Sequence, residues 1–193
     1  MWTAIEALAV AGNLAYTVLL MLEKRVGWLF GMVGSALGMA LFWHQQVYAQ
    51  VVLNLVYMVM GAYGWWAWGR SGKEDPPIVR WRWTAHGGLA LVGALGALVL
   101  AQLAGLVPGA QHVWLDATVT AFSLLATWML ARKVLESWAW WIVTDSGAIA
   151  LYLLLGLDLY AGLYVVYVGL SITALVRWGR AYRRQKHPAP VRS

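Results

Sequence analysis

Seven stretches of apolar side chains divide the chain: about Ala4–Leu22, Trp28–Trp43, Val47–Trp68, Gly87–Val107, Val113–Leu130, Trp138–Leu155 and Leu159–Val176. Each is closed by a polar connection. A hydrocarbon core of about 30 Å is crossed by roughly 17–25 apolar residues in helical form. The pattern therefore predicts an all-α membrane protein with seven transmembrane helices.

The connections alternate in charge. The first holds Lys24 and Arg25, and the second (His44, Gln45, Gln46) holds no Lys or Arg. The third (Ser71 to Ala85, with Arg70 at its edge) has Arg70, Lys73, Arg80 and Arg82, and the fourth has none. The fifth has Arg132 and Lys133, the sixth has none, and the tail has Arg177, Arg180, Arg183, Arg184, Lys186 and Arg192. All fourteen Lys and Arg thus fall on one side. Basic connections stay cytoplasmic, so the pattern predicts the N-terminus outside and the C-terminus inside. A miscounted span would scramble the alternation. The expected location is a bacterial inner membrane, crossed several times.

Composition agrees. The 193 residues are 62% hydrophobic and 11% charged, against about 25% charged in a soluble domain. The net charge of +6 would point to nucleic acid in a soluble chain. Here it is explained by anchoring to anionic lipid, so nucleic acid is not an expected partner. With no cysteine, disulfides, thiolate metal sites and thiol redox chemistry are excluded. The N-terminus lacks a basic n-region and carries Glu6 early, so the first span reads as retained rather than cleaved. Trp2, Trp28, Trp43, Trp65, Trp66, Trp68, Trp114, Trp138 and Trp178 lie near span ends, where indoles favour the membrane–water interface. Trp81 and Trp83 are expected on the cytoplasmic headgroups.

The chain also repeats itself. Trp28 with Tyr48-Ala49 matches Trp140 with Tyr160-Ala161; Trp68-Gly69-Arg70 matches Trp178-Gly179-Arg180; Glu6 matches Asp116. The offset is 110 at both ends and 112 in the middle, so small insertions are expected. Spans 1–3 resemble spans 5–7. The fourth span restores direction between them, giving a 3+1+3 parallel pseudo-repeat about an axis along the membrane normal, as in SWEET-type transporters, whose substrate sites lie near the midplane at the repeat interface. The expected divisions are 1–70 (first unit), 71–112 (cytoplasmic loop and linker helix), 113–178 (second unit) and 179–193 (basic cytoplasmic tail).

Polar residues inside spans are costly and fall on faces here. Gln50, Asn54, Tyr57 and Gly61 share one face of span 3. Tyr160, Tyr164, Tyr167 and Ser171 share the matching face of span 7. Interhelical hydrogen bonding would explain such stripes. Their recurrence at equivalent positions favours cavity lining. Span 5 carries Asp116 and, on the same face, Ser123; an interfacial carboxylate is the plain alternative for Asp116. Span 6 carries Trp138, Trp141, Asp145 and Tyr152. Asp145 lies about 10 Å inside by helical rise, where an unpaired carboxylate costs about 2.5–3.5 kcal/mol. It either meets a cationic ligand beside Trp141 or belongs to a static ion-pair group in which Lys133 or Arg132 pairs with Glu136 or reaches Asp145. The four His lack metal-ligand spacing, and no phosphate loop or nucleophile elbow is present. No metal or cofactor is expected. An enzyme would need a catalytic pair, and Asp116 and Asp145 lie toward opposite faces of the membrane. A receptor or assembly subunit is the other non-transport class.

These stretches resemble the PnuC family of vitamin transporters. The resemblance rests on Trp114-Leu115-Asp116, Ser123, the run Ala131 to Trp138, and Trp141 with Asp145. In the first unit it rests on Leu22-Glu23-Lys24, Phe30-Gly31, Tyr48-Ala49 and the run Tyr63 to Trp68. It implies uptake of nicotinamide riboside, with thiamine or another vitamin or nucleoside as the alternative substrate. It implies facilitated diffusion, with trapping by a cytoplasmic kinase that need not touch the transporter. Partners are then a small cationic substrate and membrane lipid; a homo-oligomer is left open. The family often has Asn at the place of Asp145 and Gln at the place of Asn54, both ligand-contact positions. The expected substrate-binding residues are Asp145, Trp141, Trp138, Asn54, Gln50, Tyr57, Ser123, Asp116, Tyr152, Tyr164 and Tyr167.

Overall fold

The computed structural model describes residues 2–44, 48–70, 76–107 and 109–186. Gln45, Gln46, Lys73, His187 and Arg192 lie outside the described residues, as do the side chains of Trp2, Glu6, Tyr48 and Ala49. Seven helices follow the expected order: α1 Trp2–Met21, α2 Gly27–His44, α3 Tyr48–Gly69, α4 Trp83–Gly105, α5 Val113–Ala131, α6 Ser137–Leu154 and α7 Asp158–Lys186. Among the described residues, four are long and apolar enough by themselves to cross a membrane: α3 (from Gln50), α4, α5 and α7. In α2 and α6, each 18 residues long, Trp, Gly and Ser (and Asp145 in α6) dilute the apolar character. Each of the two packs on two neighbouring helices.

Two boundaries differ from expectation. Helix α4 begins at Trp83 rather than Gly87. Helix α7 runs ten residues past Val176, to Lys186, so part of the basic tail is helical. Arg, Lys, Gln and Ala are good helix formers, and Arg and Lys in the last turn favour the negative end of the helix dipole.

The chain forms two compact units, 1–76 and 77–193. In the first, α2 packs against both α1 and α3. The α1–α2 connection ends α1 with Glu23 in the left-handed region (φ 59°). The Lys24 amide bonds the Leu19 carbonyl at 2.8 Å, the six-to-one bond of a Schellman ending. Arg25 closes the connection: its Nε donates to the Trp65 carbonyl at 2.7 Å, and its guanidinium lies 3.8 Å from the Trp65 ring centroid. Trp28 is fully buried and meets Trp68 edge-on, with ring centroids 5.7 Å apart at 86°. Gly64 leaves the space that the Trp28 ring fills.

In the second unit α4 packs on α5, α5 on α6 and α6 on α7. One stripe of α4 (Gly93, Ala97, Ala101) is buried. A Cβ at Gly93 would sit 2.9 Å from the Phe122 ring. Leu91, Val92, Leu95 and Val99 remain exposed on α4, as lipid-facing side chains do. The α5–α6 connection repeats the earlier ending residue for residue. Lys133 is left-handed (φ 53°), and the Val134 amide bonds the Met129 carbonyl at 3.0 Å. Trp138 meets Trp178 edge-on at 5.5 Å and 84°. Helices α2 and α6 therefore begin and end 110 positions apart, and so do the two Trp pairs. In packing edge-on against an indole forty residues on, Trp28 is matched 110 positions later by Trp138 rather than by Trp140.

The segment before α4 is strapped onto the α5–α6 connection. Val79 donates to the Lys133 carbonyl at 3.0 Å and accepts from the Leu135 amide at 2.9 Å. Arg80 Nε meets Glu136 Oε1 at 2.7 Å, and the Trp81 amide donates to Glu136 Oε2 at 3.3 Å. Glu136 thus pairs with Arg80, 56 residues away. The static ion-pair alternative offers it Arg132 or Lys133, its sequence neighbours. The Arg132 guanidinium lies 4.4 Å from the Trp128 ring centroid instead. Trp81, expected on the headgroups, packs edge-on against Trp128 at 5.3 Å. Trp83 is the exposed one.

Candidate functional site

The polar faces read from the sequence take definite partners inside each unit. In the second, Asp145 is on α6, only 3% exposed. The Ser171 hydroxyl of α7 donates to its carboxylate, and Tyr167, one turn earlier on α7, lies within electrostatic reach of it. Thr144 spends its hydroxyl on the Trp140 carbonyl at 3.1 Å and the Trp141 carbonyl at 3.2 Å. A carboxylate withdrawn from water needs partners. Ser171 supplies one donor, and an ionised carboxylate can accept several more hydrogen bonds.

Above Asp145 the tyrosines of α6 and α7 stack. Tyr164 meets Tyr167 edge-on at 5.5 Å. Tyr152 lies 5.2 Å from Tyr164 and shares a hydroxyl–hydroxyl hydrogen bond with it. Tyr152 also stacks on Tyr160 at 5.4 Å and 26°. The spacing of α7 dictates this: residues 160, 164, 167 and 171 lie on one face, and α6 presents Tyr152 and Asp145 seven residues apart to meet it. Asp116, in the first turn of α5 and exposed, lies within electrostatic reach of Tyr152. The result is a column of four tyrosines, Tyr160, Tyr152, Tyr164 and Tyr167, each ring packed on the next.

The remaining expected residues fall elsewhere. Trp141 is half-buried on α6. Trp138 is 1% exposed, packed on Trp178, and its Nε1 has no hydrogen-bond partner. Ser123 is buried on α5, and its carbonyl accepts the Thr127 hydroxyl at 2.8 Å. In the first unit Asn54 Nδ2 donates to the Gln50 carbonyl at 2.8 Å. A Cβ at Gly38 of α2 would come within 2.7 Å of the Asn54 Oδ1. Tyr57 lies within electrostatic reach of Tyr16, which in turn meets Trp28 edge-on at 5.6 Å.

Sequence reasoning passed over Tyr16, Ser35 and Gly38. Ser35 is buried on α2, 110 positions before Asp145, so the repeat offset alone would have found it. Gly38 had no polar signal. It matters because its missing side chain admits Asn54. At the same sequence offset Ser35 and Gly61 stand where the second unit has Asp145 and Ser171, so the carboxylate has no charged match in the first unit.

A model of the nicotinamide mononucleotide transporter family matches residues 3–180. The chain is similar to the nicotinamide riboside transporter PnuC of Escherichia coli, 23% identical over 94% of this chain and 87% of that protein. It is also similar to the riboflavin/roseoflavin transporter RibM of Streptomyces davaonensis, 26% identical over 69% of this chain and 65% of that protein. A crystal structure described as the vitamin B3 transporter PnuC has the same fold. Its TM-score is 0.77 at 19% identity, covering 94% of this chain and 83% of the solved one.

Proposed function

Since the chain belongs to the nicotinamide mononucleotide transporter family and is a vitamin transporter of the membrane, we propose that its substrate is nicotinamide riboside, carried by facilitated diffusion. The observation that supports this substrate is Asp145, a nearly enclosed carboxylate with Ser171 and Tyr167 beside it. Nicotinamide riboside carries a fixed positive charge on an aromatic ring. A carboxylate and tyrosine faces attract such a ring. Ser123 and Trp141 of the same unit complete the proposed contacts to ribose and ring. Thiamine, the second reading, is also a cationic aromatic and meets the same carboxylate. Riboflavin is neutral and gains nothing from it.

The proposed topology places the N-terminus outside and the C-terminus inside, because Lys and Arg occupy alternate connections. It uses one three-helix unit twice, with α4 as the additional crossing. The shared helix ends and the two edge-on Trp pairs, all 110 positions apart, support the duplication. Trapping is assigned to a cytoplasmic kinase, whose charged product cannot return.

Kinase-free proteoliposomes holding the purified chain test the reading. Labelled nicotinamide riboside is expected to enter until inside and outside concentrations are equal. Sodium and proton gradients are expected to change nothing, and enclosed nicotinamide riboside kinase with ATP is expected to raise accumulation. Concentrative uptake driven by an ion gradient would refute facilitated diffusion. Uptake of thiamine alone would move the substrate to the second reading.

A further inference from the structure

The strap between residues 78 and 82 has no part in the reading above. Ile78 is buried. Val79 pairs with Val134 through two backbone hydrogen bonds, a bridge that no neighbouring pair extends among the described residues. The Arg80 Nε and the Trp81 amide both donate to the Glu136 carboxylate, at 2.7 and 3.3 Å. Glu136 is the N-cap residue of α6, yet its side chain makes no cap bond to that helix and goes to the strap instead. Helix α4 lies against α5 rather than α6, so the strap carries the start of α4 across to the start of α6. The first unit closes the same connection differently. Arg25 donates to the Trp65 carbonyl of its own third helix at 2.7 Å, and Val26 stands 110 positions before Glu136.

These bonds are weak enough to part. The Arg80 side chain is 53% exposed and that of Glu136 15%, and an ion pair open to water contributes little to stability. Two backbone hydrogen bonds by themselves add only modestly. Asp145 lies nine residues beyond Glu136 on α6, about 13 Å along the axis. In this structure the strap is bonded and Asp145 is 3% exposed. A substrate leaves an enclosed carboxylate only if a helix beside it moves, and α6 carries both the carboxylate and the anchor of the strap. We propose that the strap is a latch on the cytoplasmic end of α6, bonded while Asp145 is enclosed and released as substrate passes inward. The latch rests on the vitamin-transport reading of Asp145 and on the proposed topology, and deepens them.

Cross-linking of the full chain tests the latch. The chain has no cysteine, so Val79→Cys with Val134→Cys puts one thiol on each side of the bridge. Paired strands lie about 4.8 Å apart, within the reach of a disulfide. In proteoliposomes the reduced double variant is expected to take up labelled nicotinamide riboside. The oxidised one is expected to bind it, by calorimetric titration, without carrying it, and dithiothreitol to restore uptake. Either single variant is expected to be insensitive to oxidant. Arg80→Gln removes one member of an exposed pair, so it is expected to fold as the wild type and to raise the maximal uptake rate about threefold with Kd unchanged. A cross-linked protein that carries the riboside as fast as the reduced one overturns the latch alone, as does an unchanged maximal rate in Arg80→Gln. A cross-linked protein that has also lost binding makes the strap a structural brace and overturns the latch too. If the wild type carries neither nicotinamide riboside nor thiamine, the vitamin reading itself falls and takes the latch with it.

Discussion

Ser171 on α7 donates its hydroxyl to the Asp145 carboxylate on α6, and both side chains are nearly withdrawn from the surface. This bond ties two helices at the level of the charged residue. It fixes the carboxylate's orientation, and an ionised carboxylate can accept further hydrogen bonds.

Replacing Asp145 by Asn keeps the shape and removes the charge. Binding of nicotinamide riboside is expected to weaken by about 2 kcal/mol, the low end of the coupling between close opposite charges, or roughly thirtyfold. The uncharged reduced riboside is expected to change little. Calorimetric titration of both ligands against the purified variant reads the difference. An equal loss for both, with a lower unfolding temperature, would make Asp145 a structural group instead.

The edge-on indoles hold each unit together at the level of its first connection. Trp68→Ala and Trp178→Ala are each expected to cost about 3–5 kcal/mol, as large aromatic deletions in cores do. Gly64→Ala puts a methyl where the Trp28 ring already sits, an overpacking of about 1–3 kcal/mol. The second unit carries Ala174 at that position and accommodates it buried. Thermal unfolding in detergent is expected to show Gly64→Ala falling further than Ala174→Gly. The reverse order would mean that the space beside Trp28 accepts a methyl as the space at Ala174 does.

The alternation of basic connections predicts the side of each terminus. A reporter fused after Ser193 is expected to be active only if it is a cytoplasmic reporter. One fused within the sixth connection, near Gly156, is expected to be active only if it is a periplasmic one. A periplasm-active fusion after Ser193 would reverse the topology.

Much of this protein was legible without coordinates because helices are local objects. Apolar length placed the seven helices, and periodicity placed Gln50, Asn54 and Tyr57 on one face and Tyr160, Tyr164 and Tyr167 on another. The cost of charge in lipid singled out Asp145. What the sequence could not give is which face meets which. Each residue turns the helix by about 100 degrees, so a shift of two positions, as between Trp138 and Trp140, exchanges a core indole for one on another face. The sequence match sets Trp140 against Trp28; the indole that packs edge-on on Trp178, as Trp28 does on Trp68, is Trp138. Proximity along the chain suggested Arg132 or Lys133 for Glu136, but the strap brought Arg80 to it across 56 residues. Gly38 showed no chemistry at all, and its role exists only because Asn54 of another helix fills the space it leaves. Composition and spacing settle what a helix is and what it carries. Its rotation and its neighbours are settled by side-chain shape and hydrogen-bond closure between helices, and those exist only once the chain has folded.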